Sequence, residues 1–256
     1  MTGLSTVVFV GLMGLCIGSF LNVCIYRLPR RESVQWPGSR CTACGRALRW
    51  FENVPVLSWT LLRGRCRTCS ARISAMYPVV ELLTGALFVA GCALYGPTPL
   101  LAARLLFVCA LLVLFVIDLQ HRILPNVITL PGIVVGFVLS LWLPPGWAAS
   151  LVGALAGGGV LFAIAESYFR FRGIEGLGMG DVKMLAMIGA FLGWQLVFVT
   201  LVLASLAGSI VGVAMIASGR GGMKAALPFG TFLSVGALVA AVAGDGLLAW
   251  YLSLYP

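Results

Sequence analysis

Charge is scarce in this chain. Only 10% of its 256 residues are Asp, Glu, Lys or Arg, against roughly 25% in soluble domains, and a soluble globular enzyme is thereby excluded. One histidine is present, so a His-based catalytic triad or a His-rich metal site is nearly excluded as well. The glycine-rich nucleotide fingerprint of soluble enzymes does not occur. A secretory signal peptide is also missing, because residues 1–6 carry no basic n-region ahead of the first apolar run.

Apolar sequence takes the place of charge. Apolar residues make up 61% of the chain and its mean hydropathy is +1.05. Runs of about 20 apolar residues can cross a bilayer as helices, and they predict spans near 4–26, 77–95, 99–119, 126–143, 147–169, 182–197, 199–217 and 229–252. The fold class is therefore all-α: a polytopic membrane helical bundle of about eight spans, with one small polar loop domain. Small-residue pairs recur at helical spacing (Gly14/Gly18, Gly132/Gly136, Gly153/Gly157, Gly189/Gly193, Gly208/Gly212) and predict close helix packing inside the bundle.

The net charge of +9 has an orientation. With the N-terminus outside, segments 27–76, 120–125, 170–181 and 218–228 are cytoplasmic, and they hold every Lys and Arg except Arg104 and Lys183. That is the positive-inside pattern. It accounts for the basic excess by partnership with membrane lipid and leaves no call for nucleic acid.

The polar loop, residues 27–76, is too short for a large core. It contains Cys41-x2-Cys44 and Cys66-x2-Cys69. Two such knuckles fit a tetrahedral four-thiolate site for one structural zinc ion, whose binding supplies folding energy the loop lacks. Disulfides, a redox dithiol and free thiols are the competing readings. A cytoplasmic loop argues against stable disulfides. Cys16, Cys24, Cys92 and Cys109 lie unpaired in apolar runs and read as packing residues.

Of the eight acidic residues, Glu32 and Glu52 read as solvated loop residues and Glu166 as an ion pair with Arg170, four residues on. Asp245 reads as interfacial. Asp118 ends one apolar run, and Asp181, in Gly178-Met179-Gly180-Asp181-Val182-Lys183, opens another. Both fall at cytoplasmic ends of spans, so they can meet. Two adjacent carboxyls share a proton and hold a water between them, which suits acid–base attack on a peptide bond. Other readings stay open: Asp118 paired with Arg122, Asp181 as a helix N-cap, or a proton or ion pathway in a transporter or channel.

Taken in order, these motifs resemble a known family, the type IV prepilin peptidases. The resemblance runs from Gly18-Ser19-Phe20-Leu21-Asn22-Val23 and Tyr26-Arg27-Leu28-Pro29 through the four-cysteine loop and Tyr77-Pro78-Val79-Val80-Glu81. It continues through Asp118 with Pro125-Asn126 and the Gly178–Lys183 box to Pro228-Phe229-Gly230. It implies a first span (1–26), a cytoplasmic zinc loop (27–76) and a transmembrane peptidase core (77–256) in the bacterial inner membrane. It implies Asp118 and Asp181 as the catalytic pair, and prepilins and pseudopilins as substrates. The implied reaction removes the basic leader just after a glycine and then methylates the new N-terminus from S-adenosylmethionine. The methyl transfer rests on the resemblance alone, and a peptidase without it is the alternative. Glu81, Glu175 and Lys183 are candidates for orienting substrate or tuning the acids. Thr231 stands where the family often has Pro, a change expected to touch no catalytic group.

Overall fold

The computed structural model describes residues 3–173, 178–219 and 227–254; Glu175 lies outside them. Nine α-helices form among the described residues: α1 Leu4–Arg27, α2 Leu57–Leu61, α3 Met76–Tyr95, α4 Pro99–His121, α5 Asn126–Leu139, α6 Trp147–Arg172, α7 Met179–Leu192, α8 Trp194–Ala217 and α9 Phe229–Leu252. No strand accompanies them there, only two isolated bridges, Arg40 with Ala47 and Arg65 with Arg72.

Each predicted apolar run forms a helix, but the count of about eight spans is not exact. Among the described residues six helices are long and apolar enough to cross a membrane. Helices α5 and α7 have 14 residues each, about 21 Å at 1.5 Å per residue, short of a hydrocarbon core of about 30 Å. The weakly marked boundary that the sequence puts near Trp194 falls at Gly193, whose φ of +84° ends α7 and starts α8 at once. Apolar content cannot mark that break, because a single glycine in an unusual backbone conformation makes it.

The chain divides into two compact units, residues 1–109 and 110–256, with the boundary inside α4. In the first, α1 and α3 pack closely. A Cβ at Gly14 would lie 2.8 Å from Gly85 Cα, and one at Gly18 would lie 2.8 Å from Glu81 Cα, so this crossing requires glycine. Val10, Phe88, Cys92, Leu101 and Leu105 form its apolar core.

Polar anchors then fix the loop to this helix pair. Asn22 Nδ2 donates to the Tyr77 carbonyl at 3.0 Å. Buried Arg27 donates to the carbonyls of Ser33 (2.8 Å) and Gly38 (3.0 Å). Glu81, also buried, accepts the Val56 N–H at 2.7 Å. Val56 is the centre of a γ-turn of the strained positive-φ kind (φ +61°, ψ −50°), closed by the Leu57 N–H on the Pro55 carbonyl at 2.6 Å. A β-branched residue is a poor occupant of that conformation. A hydrogen bond to a carboxylate, about 1.5–3 kcal/mol, offsets the strain. Glu81 thus serves as a loop anchor. We expect Glu81→Ala to leave the spans inserted while weakening loop attachment by about 2 kcal/mol. Limited proteolysis between residues 50 and 62 should then be roughly thirtyfold faster, and unchanged cleavage would discount the anchor.

In the second unit α7 is the enclosed element, packed against α5, α6, α8 and α9. Every residue from Met184 to Leu192 except half-buried Ala186 is buried. Glycines make the enclosure possible. A Cβ at Gly189 would collide with the Gly153 backbone, one at Gly157 would lie 2.7 Å from the Leu185 carbonyl oxygen, and one at Gly136 would lie 2.8 Å from the Phe191 ring. Ser150 Oγ adds a buried bond to the Ala190 carbonyl at 2.7 Å. Gly159, by contrast, has open space where its Cβ would be. Gly189→Ala, forced against backbone, should lose about 2 kcal/mol or more. Gly159→Ala should be neutral or gain up to about 1 kcal/mol of helix propensity. Thermal unfolding in detergent, in which the two glycines should respond oppositely, checks this.

Candidate active site and metal-holding loop

Asp118 lies in the last turn of α4. That helix ends because Arg122 takes a left-handed conformation (φ +54°) and returns its N–H to the Asp118 carbonyl at 2.8 Å. The Asp118 side chain is 4% exposed. Its Oδ2 accepts two hydrogen bonds from Thr231, from the backbone N–H at 2.7 Å and from Oγ1 at 3.0 Å. Thr231 is in the first turn of α9, whose N-cap position is Pro228 and provides no side-chain cap. A first-turn N–H has no partner within its own helix. The Asp118 carboxyl therefore caps α9 from another part of the chain.

Asp181 is in the first turn of α7, half-buried. It is not the N-cap; Gly178 holds that position. The Asp181 carboxyl folds back toward it, with Oδ2 3.4 Å from where a Gly178 Cβ would be. Leu124 links the two acids. A Cβ at Gly180 would lie 3.0 Å from Leu124 Cβ, and one at Gly230 would lie 2.9 Å from Leu124 Cδ1 and 3.1 Å from Asp118 Oδ2. Glycine at both positions lets the N-termini of α7 and α9 close on one leucine. The two carboxyls come within electrostatic range of each other. Lys183 Nζ donates to Asn126 Oδ1 at 3.0 Å and ties α7 to the start of α5.

The alternative partners separate cleanly. Glu166 does pair with Arg170, at 2.7 Å. No ion pair joins Asp118 to Arg122 among the described residues. Thr231, expected to touch no catalytic group, is instead the side chain bonded to Asp118. Nothing in its local sequence signals this, because the contact joins residues more than a hundred positions apart.

The loop brings its four cysteines together. The sulfurs of Cys41, Cys44, Cys66 and Cys69 all lie within 4.8 Å of one another, with Cys41 and Cys69 at 3.8 Å. A tetrahedral site with metal–sulfur bonds of about 2.3 Å needs sulfurs about 3.8 Å apart, so the cluster can hold a metal ion. The two knuckles repeat one construction. Cys41 N–H bonds to the Arg46 carbonyl and Cys66 N–H to the Ala71 carbonyl, while Gly45 and Ser70 return their N–H groups to Cys41 and Cys66, all at 2.9 Å. Gly45 and Ser70 both have positive φ. The turns aim backbone N–H groups at sulfur. Those of Cys69 and Thr68 bring the Cys66 thiol down to about 6, and those of Cys44 and Ala43 lower Cys41. Burial and the neighbouring cysteines push Cys69 up to about 11, so Cys41 and Cys66 are the two biased toward the thiolate, the form a metal takes.

Glu52 departs from its expected solvated state. It is buried, it accepts both arms of Arg46 at 3.0 and 2.8 Å, and it accepts the Arg49 N–H at 2.9 Å. The Arg46 guanidinium and that N–H hold its carboxyl at about 2. The pair fastens the first knuckle to the turn at Trp50–Glu52.

Comparison with known proteins identifies the family of the chain. Residues 12–95 match the bacterial peptidase A24 N-terminal domain, and residues 105–213, which contain both aspartates, match the type IV leader peptidase family. A Burkholderia pseudomallei (strain 1026b) protein named prepilin leader peptidase/N-methyltransferase is 40% identical over 257 residues, covering 89% of this chain and 82% of the relative. Proteins of the same name from Myxococcus xanthus (strain DK1622), at 46% identity covering 85% and 65%, and from Aeromonas hydrophila, at 38% covering 94% and 92%, are also similar. No solved structure matches the chain. The helices, the acid pair and the cysteine loop thus sit in a chain that belongs to the type IV leader peptidase family.

Proposed function

We propose that this protein cleaves the leaders of prepilins and pseudopilins in the bacterial inner membrane with the Asp118–Asp181 pair and one water, and that it methylates the amine it uncovers. The observation that carries the peptidase reading is the closure of α7 and α9 on Leu124. It sets one fully buried carboxyl and one half-buried carboxyl at the same end of the second unit. Like charges so placed do not both ionise readily, so the pair holds one proton. The ionised acid takes a proton from water as the water oxygen bonds to the scissile carbonyl carbon. The protonated acid gives its proton to the carbonyl oxygen. When the resulting diol collapses, the C–N bond breaks, the amine leaves with the first proton, and a hydroxyl proton returns to the second acid. Substrate plus water becomes acid plus amine, and the pair is restored.

The topology suits a substrate whose leader is basic and whose following helix is apolar. The cytoplasmic ends of the spans carry the acids, the N-terminus is outside, and residues 27–76 face the cytoplasm, an orientation the distribution of Lys and Arg supports. The division into a first span (1–26), a loop (27–76) and a peptidase core (77–256) follows from the same placement. In the loop one zinc ion takes Cys41, Cys44, Cys66 and Cys69. With four thiolates the site has no open position, so the metal braces the loop and takes no part in hydrolysis. S-adenosylmethionine is the methyl donor.

Asp118→Asn and Asp181→Asn should each insert normally and lower leader cleavage by about a thousandfold or more. Mass spectrometry of a prepilin before and after incubation with enzyme and methyl donor reads cleavage position and methylation together. Near-normal cleavage by either purified variant refutes the pair. Cys41→Ser combined with Cys44→Ser should reduce bound zinc from about one ion per chain to nearly none and loosen the loop, since the metal supplies its folding energy. Metal analysis that found zinc unchanged would dismiss the site.

A further inference from the structure

The proton sharing just described leaves open which acid is the base. Resting on that catalytic reading, we infer that Thr231 is the positioning residue that keeps Asp118 ionised, so that Asp118 is the base toward water and Asp181 the acid toward the carbonyl oxygen.

The geometry separates the two carboxyls. Both Thr231 groups donate to one oxygen, Oδ2, at 2.7 and 3.0 Å. A backbone N–H cannot accept, so this arrangement favours the carboxylate over the carboxylic acid. The N–H belongs to the first turn of α9, where the helix dipole also favours negative charge. These two donors act against the burial of Asp118, which opposes charge. With Oδ2 held, Oδ1 is the oxygen left for water. Asp181 also lies in a helix first turn, so the dipole does not separate the two acids; it has the Gly178 backbone N–H as its donor and none from another helix. Beside it stands Asp118, and that neighbour favours a proton on Asp181. Among the described residues the charged groups acting on Asp118 are Arg122, just beyond its own helix, and Asp181 from α7. Lys183, on α7, is engaged with Asn126. Among the described residues Thr231 is the only side chain that bonds Asp118 directly.

Three substitutions dissect the two donors. Thr231→Ser keeps both, Thr231→Val removes Oγ1 alone, and Thr231→Pro removes both; Pro is tolerated in a first turn because its missing N–H has no intrahelical role there. The experiment is the pH dependence of kcat/KM for leader cleavage by full-length enzyme in detergent, which reports the free enzyme's base on its acidic limb. Losing donors to the charged form raises the pKa of the base. The acidic limb should therefore move up by about one pH unit for Val and further for Pro, while Ser reproduces the parent profile. An unmoved acidic limb in both Val and Pro overturns the proposal, and so does movement of the basic limb, which would make Asp118 the acid. If Pro does not fold, Val and Ser still decide the matter. A failed acid pair shows up separately, as retained cleavage by Asp118→Asn, whereas failure of the Thr231 role leaves that variant inactive and the Thr231 profiles unchanged.

Discussion

The end of the second unit proposed as catalytic depends on a carboxyl group that serves as the missing cap of a helix elsewhere in the chain. Helix α9 begins after Pro228 without a cap of its own, and Asp118 is buried at the end of an apolar helix. Each is unfavourable alone: an orphan N–H away from water and a desolvated charge both cost free energy. The Thr231 contact meets both needs at once. The position of the acid is therefore coupled to the start of α9, and the same bond that completes the helix orients the carboxyl.

The other acid is held by packing. Helix α7 is too short to cross a bilayer and is enclosed by four neighbours. Lipid gives packed helices no hydrophobic advantage over lipid-facing ones, so close backbone approach and dispersion have to hold them together. Gly136, Gly153, Gly157 and Gly189 permit that approach, at places where any side chain would strike a neighbour. An element locked along its length has little freedom at its first turn, where Asp181 sits. The Gly180 and Gly230 contacts with Leu124 then set where α7 and α9 converge.

Elements set by local composition could be read from the sequence. Apolar runs gave the helices, paired cysteines gave the metal-holding loop, and two acids at the ends of spans gave the candidate pair. What could not be read depends on single backbone angles and on contacts between distant residues. The boundary near Trp194 is only faintly marked in the sequence, and Gly193 makes it sharp through one unusual φ. Two of the helices fall short of a full span because α7 stops there and α5 stops at Leu139. Glu52 reads as solvated until Arg46 and the Arg49 N–H are seen around it. Thr231 reads as a neutral departure until the fold sets it against Asp118. A linear pattern records a residue's type, whereas these roles come from the partner.

The buried acids of this chain share one device. Glu52, Glu81 and Asp118 are each nearly inaccessible, and each accepts a backbone N–H, from Arg49, Val56 and Thr231 respectively, at 2.7–2.9 Å. In a protein with so few acids, this use of three of them as fasteners for turns and helix starts argues that burial alone does not mark a catalytic carboxyl. Their charge environments distinguish them. Glu52 is neutralised by Arg46, and Glu81 is spent on the strained turn at Val56. Asp118 alone of the three has a second carboxyl in electrostatic range. In the proposed reading, proximity to Asp181 turns a structural fastener into half of a proton-sharing pair. The proposed chemistry would then come from adding one acid, on a firmly packed helix, to a contact that also completes α9.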